Sequence, residues 1–157
     1  MPNWLYLLAN ASYHAGLALW IGGTVVLGAL TAPALFGALP RPEAGAVFGQ
    51  ILRRFARLRV IALLLVVAGA AAKYLGWESH AATPWLLIRW LSIAVLGASI
   101  VYEMGVQERV LGRLRLQLAP EMTDDDPVRR EFGRHHLRAE RLMKVSLFAA
   151  ATALFFS

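Results

Sequence analysis

A histidine inside an apolar stretch and polar side chains recurring at helical spacing are the residues here with chemistry to offer. His14 lies in a run free of Asp, Glu, Lys and Arg. Neutral imidazole is a common side-chain ligand for metals and heme. His136, Glu140 and Lys144 are spaced four apart, so on a helix they share one face. Arg89, Ser92, Ser99, Glu103 and Gln107 recur along one side of another apolar stretch. Polar groups inside a membrane span are costly and are functional candidates by default.

Two sites follow from these spacings. His14 is a candidate ligand, for a metal or as an axial ligand of heme. Glu103, Gln107, Glu140 and His136 are expected to gather at the opposite end, with Arg41 and Arg109 nearby. There His136 is a second candidate metal ligand. The plainer readings stand beside these. His14 is then a hydrogen-bonded core residue, Glu103 an ion-pair partner of an interfacial arginine, and His136 a solvated side chain. His135 and His80 read as surface residues. His14 precedes Pro40 by 26 residues, about 39 Å of helix, so one heme or metal is not easily shared by His14 and His136. His14 with His80 is geometrically open.

Other chemistries leave no trace. There is no cysteine, which excludes disulfides and thiolate sites. No Gly-rich phosphate loop, HExxH or nucleophile elbow is present. Met104, Met122 and Met143 show no clustered ligand spacing. The Asp124–Asp126 run reads as a helix cap.

The elements that must position these residues are apolar helices. The 157 residues are 58% hydrophobic and 17% charged, with a mean hydropathy of +0.53. A soluble domain carries roughly a quarter charged residues. Trp4–Leu39 carries no charge, and it forms either one long tilted helix or an interfacial turn followed by a span. Further apolar runs lie at Val60–Ala72, from Trp85 to about Val106, and at Val145–Phe156. The chain therefore reads as one membrane domain over 1–157, with spans near 12–36, 58–77, 85–107 and 136–156. The expected fold is all-α, an integral membrane four-helix bundle with helices extended into the cytoplasm.

The charges orient it. Of the 16 basic residues, 14 fall in the first and third connections. The positive-inside rule places both connections in the cytoplasm and both termini outside, in the inner membrane. Lys73 can snorkel to the outer headgroups at the end of the second run. Trp4, Trp77 and Trp85 fall where an outer aromatic belt would. The formal charge of +6 then reflects topology and contact with anionic lipid, not nucleic-acid binding. Pro42 with Glu43 suits the first turn of a helix running through Arg59 into the second span. Thr123–Pro127 marks the start of a helix from Pro127 to Phe156. Small residues at Gly16, Gly22, Gly23, Gly28 and Ala68–Ala72 predict close helix packing.

The order of motifs carries a resemblance. His14 is followed by Trp20-Ile21-Gly22-Gly23, Pro33-Ala34-Leu35-Phe36 and Leu39-Pro40-Arg41. Gly45 and an amphipathic Phe48-to-Phe55 stretch come next, then Glu108-Arg109 and Phe132-Gly133-Arg134-His135-His136. Over nearly the whole chain this resembles the transmembrane-protein-205-like family of four-span proteins, which has no settled activity. The resemblance implies that His14, Pro40, Arg41, Arg109 and His136 are family positions. Arg138 to Arg141 departs from it, being more charged than the family's small and polar residues. The first span also looks like that of CopD-type copper proteins and, more distantly, HemJ-type heme oxidases.

Three functions remain open on the sequence. The first is non-catalytic binding or handling of a metal or small cation, through His14 and the inner polar cluster. The second is a heme-bearing redox protein with His14 as axial ligand. The third is an accessory subunit or scaffold that meets a membrane-protein partner or a second copy of itself.

Overall fold

The computed structural model describes residues 2–80, 83–117 and 126–157. Regular structure among them is helical throughout. The uncharged run becomes a single rod, α1 (Asn3–Ala38), which passes through a π-helical stretch at Val26–Thr31. It stops because Leu39 precedes a proline and is pushed to extended backbone.

Helix α2 (Arg41–Glu78) starts as its sequence predicts. Pro42 occupies the first turn and Glu43 lies at the positive end of the helix dipole. Its last residues, Tyr74–Glu78, are π-helical. Helix α3 covers 84–117, with Pro84 in its first turn and a π-helical stretch at Glu103–Gln107. Helix α4 (Pro127–Phe155) is capped by Asp126, whose carboxylate accepts from the Val128 amide at 2.8 Å. The rest of the expected start signal, Thr123–Asp125, lies outside the described residues.

Among the described residues, helices α1 to α4 share one core. Tyr13, Leu17 and Trp20 of α1 meet Ala62, Val66 and Ala70 of α2, Ile93, Leu96 and Ile100 of α3, and Ala149, Ala150 and Ala153 of α4. Helices α1 and α2 approach closely at two glycines. A Cβ on Gly16 would lie 2.5 Å from the Ala62 carbonyl oxygen, and one on Gly69 2.5 Å from that of Ala9. Backbone meets backbone at both places, as packing in lipid favours. Gly23 is filled by the Phe55 ring, whereas Gly22 and Gly28 face open space.

Large apolar side chains lie on the outside of the bundle. Leu7, Leu64, Leu87, Val101 and Phe148 are each more than 60% exposed, a coat that needs a hydrocarbon solvent. Asn3–Ala38, Arg41–Glu78 and Pro84–Leu114 are long and apolar enough to cross a membrane. The chain is an integral membrane protein.

The ring contacts fix which ends lie together. Tyr6 packs edge-on to Trp77 at 5.2 Å, and Trp85 stacks on Phe156 at 5.6 Å. Both termini and the α2–α3 connection therefore share one end of the bundle. Phe36 and Phe48 meet across the α1–α2 turn at the other end.

Candidate functional site

At the end that holds the termini, two buried cations sit among the helices. Lys73 is 2% exposed. Its ammonium donates to the Asn10 side-chain oxygen at 3.2 Å and lies 5.3 Å from the Tyr13 ring and 5.9 Å from the Tyr6 ring. Lys73 thus does not snorkel to the headgroups as its sequence position allows. One amide acceptor and two aromatic faces give the charge an interior seat.

Arg89, equally buried, forks onto Glu78. Nη1 donates to Oε1 at 3.1 Å and Nη2 to Oε2, a bidentate pair of the geometry guanidinium favours. Nearby, the Tyr13 hydroxyl donates to the Ala153 carbonyl at 2.6 Å, joining α1 to α4. The Ser12 hydroxyl donates to the Leu65 carbonyl at 3.1 Å, joining α1 to α2.

Toward the other end a second pair joins α2 to α3. The Arg59 guanidinium meets the Glu103 carboxylate, with the Trp20 ring 5.5 Å and the Phe55 ring 5.3 Å from its carbon. Glu78 and Glu103 both lie in π-helical stretches. A π turn takes in an extra residue and re-aims the side chains around it, and such turns occur often at functional positions. In this bundle they carry the two half-buried carboxylates that meet buried arginines.

The expected inner cluster is distributed differently. Glu103 turns to α2 rather than to α4. Glu140 pairs with Lys144 on its own helix at 2.6 Å, near solvent. His136 is exposed and stacks on Phe132 at 6.2 Å. Arg41 and Arg109 are exposed, and the Gln107 side chain lies outside the described residues. His135 is half-buried rather than solvated. His14 is half-buried on α1, its Nδ1 2.7 Å from the Asn10 carbonyl oxygen. Among the described residues no three His, Asp or Glu side chains gather in a metal-holding group.

A sequence family described as a domain of unknown function, DUF4149, matches residues 15–117. The chain belongs to the DUF4149 family. No curated protein and no solved structure matches it. The DUF4149 region holds Arg59, Lys73, Glu78, Arg89 and Glu103, so both arginine–glutamate pairs lie inside it. His14, His136 and all of α4 fall outside it.

The pairing of Arg89 with Glu78 and the seat of Lys73 are absent from the sequence reading. A signal was there: Glu78 is the only acid between the second and third apolar runs, and a lone acid there suits a lone arginine a short way into the next helix.

Proposed function

We propose that this DUF4149 protein is a four-span inner-membrane protein with both termini outside, serving as a non-catalytic accessory or scaffold subunit. The observation that carries this reading is the use of its interior charges. Arg59 with Glu103 and Arg89 with Glu78 each join a cation to an acid across a helix boundary, and Lys73 is tied to α1 through Asn10. Groups spent on holding helices together are not free to carry a substrate or proton.

The membrane orientation draws on charge. The turn around Pro40 and the α3–α4 connection lie among 14 of the 16 basic residues, which suits an anionic cytoplasmic leaflet. The fourth span is the apolar end of α4, whose Ser146, Ala149, Ala150 and Ala153 are buried against the other helices.

A second reading keeps His14 as a ligand for a metal ion or heme. Its Nδ1 sits at a backbone carbonyl, the arrangement that holds a ligating histidine's other nitrogen outward. Elemental analysis for iron, copper and zinc, with a visible spectrum, separates the two. The scaffold account expects far less than one metal per chain and no Soret band. One equivalent of metal, lost in His14→Ala, would establish the second reading instead.

A further inference from the structure

Between α2 and α3, on the side away from the termini, lies a cleft of about 370 Å³ lined by Gln50, Arg53, Arg54, Ala56, Arg57 and Met104. Its three arginines are exposed. Among the described residues none of the three has an acidic partner. Arg59, further along α2, pairs with Glu103, the neighbour of the cleft residue Met104. Three exposed guanidinium groups at one cleft, without an acidic partner among the described residues, call for an anion with several acceptor oxygens, and a phosphate fits that fork geometry.

The surface beyond the cleft decides which phosphate. Arg54, Arg57, Ile61 and Leu64 are spaced three, four and three residues apart, so they form one stripe along α2. Ile61 and Leu64 are 53% and 63% exposed. On α3, Met104 stands one turn from Val101, which is 73% exposed. A basic step on α2 thus leads onto exposed apolar residues of the same helix, with Met104 and Val101 apolar on α3. A free phosphate has no use for those apolar residues, whereas a phospholipid has both a phosphodiester and acyl chains.

We propose that this cleft is a binding site for one anionic glycerophospholipid, with Arg53, Arg54 and Arg57 on its phosphodiester and its acyl chain along Met104, Val101, Ile61 and Leu64. The site rests on the reading of this end of the bundle as the cytoplasmic headgroup level. It goes further by making the contact a specific seat rather than a general attraction.

Native mass spectrometry of the full chain in neutral detergent tests it, with phosphatidylglycerol, phosphatidylcholine and inorganic phosphate as probes. The variant is Arg53→Gln/Arg54→Gln/Arg57→Gln. The control, Arg134→Gln/Arg138→Gln/Arg141→Gln, removes the same charge from exposed positions on α4. Each arginine at an anionic headgroup contributes about fivefold, so the variant is expected to lose on the order of a hundredfold in phosphatidylglycerol affinity. The control is expected to keep it, and phosphatidylcholine to bind weakly to all three proteins.

Equal losses in variant and control would overturn the proposal, because general charge would then account for binding. So would inorganic phosphate binding without phosphatidylglycerol binding. Arg54→Gln alone, expected to weaken binding about fivefold, guards against a misfolded triple variant. Binding in detergent is independent of sidedness, so an inverted topology would sink the cytoplasmic reading while leaving the cleft's lipid specificity measurable.

Discussion

Arg59 of α2 and Glu103 of α3 form an ion pair beneath the Trp20 ring of α1, with the arginine side chain 5% and the glutamate 28% exposed. Removing Glu103 leaves the buried Arg59 guanidinium without its carboxylate, facing only the Trp20 and Phe55 rings. Breaking a buried pair costs about 3 kcal/mol or more. Glu103→Gln is expected to lower the thermal midpoint in detergent, followed by circular dichroism. The double variant Arg59→Met/Glu103→Met is expected to recover most of the loss, because neither charge is then left alone. A double variant less stable than Glu103→Gln alone would show that the pair is not a unit.

Tyr13 joins α1 to α4 by its hydroxyl while its ring carries part of the Lys73 charge. Tyr13→Phe keeps the ring and deletes the bond. It is expected to cost about 1–2 kcal/mol, the usual loss on leaving a buried acceptor unpaired. Tyr13→Leu also removes the aromatic face and is expected to cost clearly more. Equal losses in the two variants would leave the ring's contact with Lys73 without energetic weight.

Glycine positions divide by contact. Gly16→Ala sets a methyl against the Ala62 carbonyl and the Val66 side chain, forcing α1 and α2 apart at about 1–3 kcal/mol. Gly22→Ala meets nothing and gains helix propensity of up to about 1 kcal/mol. The two melting curves are expected to shift in opposite directions, a contrast that a general intolerance of α1 to substitution would not produce.

The exposed pair of Glu140 and Lys144 is expected to matter little. It lies along one helix near solvent, where ion pairs contribute marginally. Glu140→Gln should leave the melting temperature unchanged, and a large drop would reveal a role for α4 beyond packing.

The helices were legible because apolar length, prolines and caps are local signals. The Pro42–Glu43 and Asp126–Pro127 starts fall where the sequence puts them, and of the two forms left open for Trp4–Leu39 the chain takes the single long helix, Asn3–Ala38. Partner choice was not local. Glu103 lies at helical spacing from Gln107, and His136 from Glu140, which favoured a cluster between α3 and α4. A π turn and the placement of Arg59 send Glu103 to α2 instead. Lys73 was illegible for a similar reason. Snorkelling is open to it at the end of an apolar run, whereas its burial depends on Asn10, Tyr6 and Tyr13, which lie far away in sequence. The glycines were read as one class, yet only contact with α2 separates Gly16 from Gly22.

The four-span arrangement with both termini outside is the claim on which the rest depends, and the absence of native cysteine makes it simple to measure. Single cysteines at Asn3, Ser157 and Arg113 would be labelled in spheroplasts with a membrane-impermeant maleimide, before and after permeabilisation. The account predicts that Asn3→Cys and Ser157→Cys react at once and that Arg113→Cys reacts only after permeabilisation. Labelling of Asn3→Cys without Ser157→Cys would leave three spans and contradict it, and the reverse pattern throughout would invert the protein in the membrane.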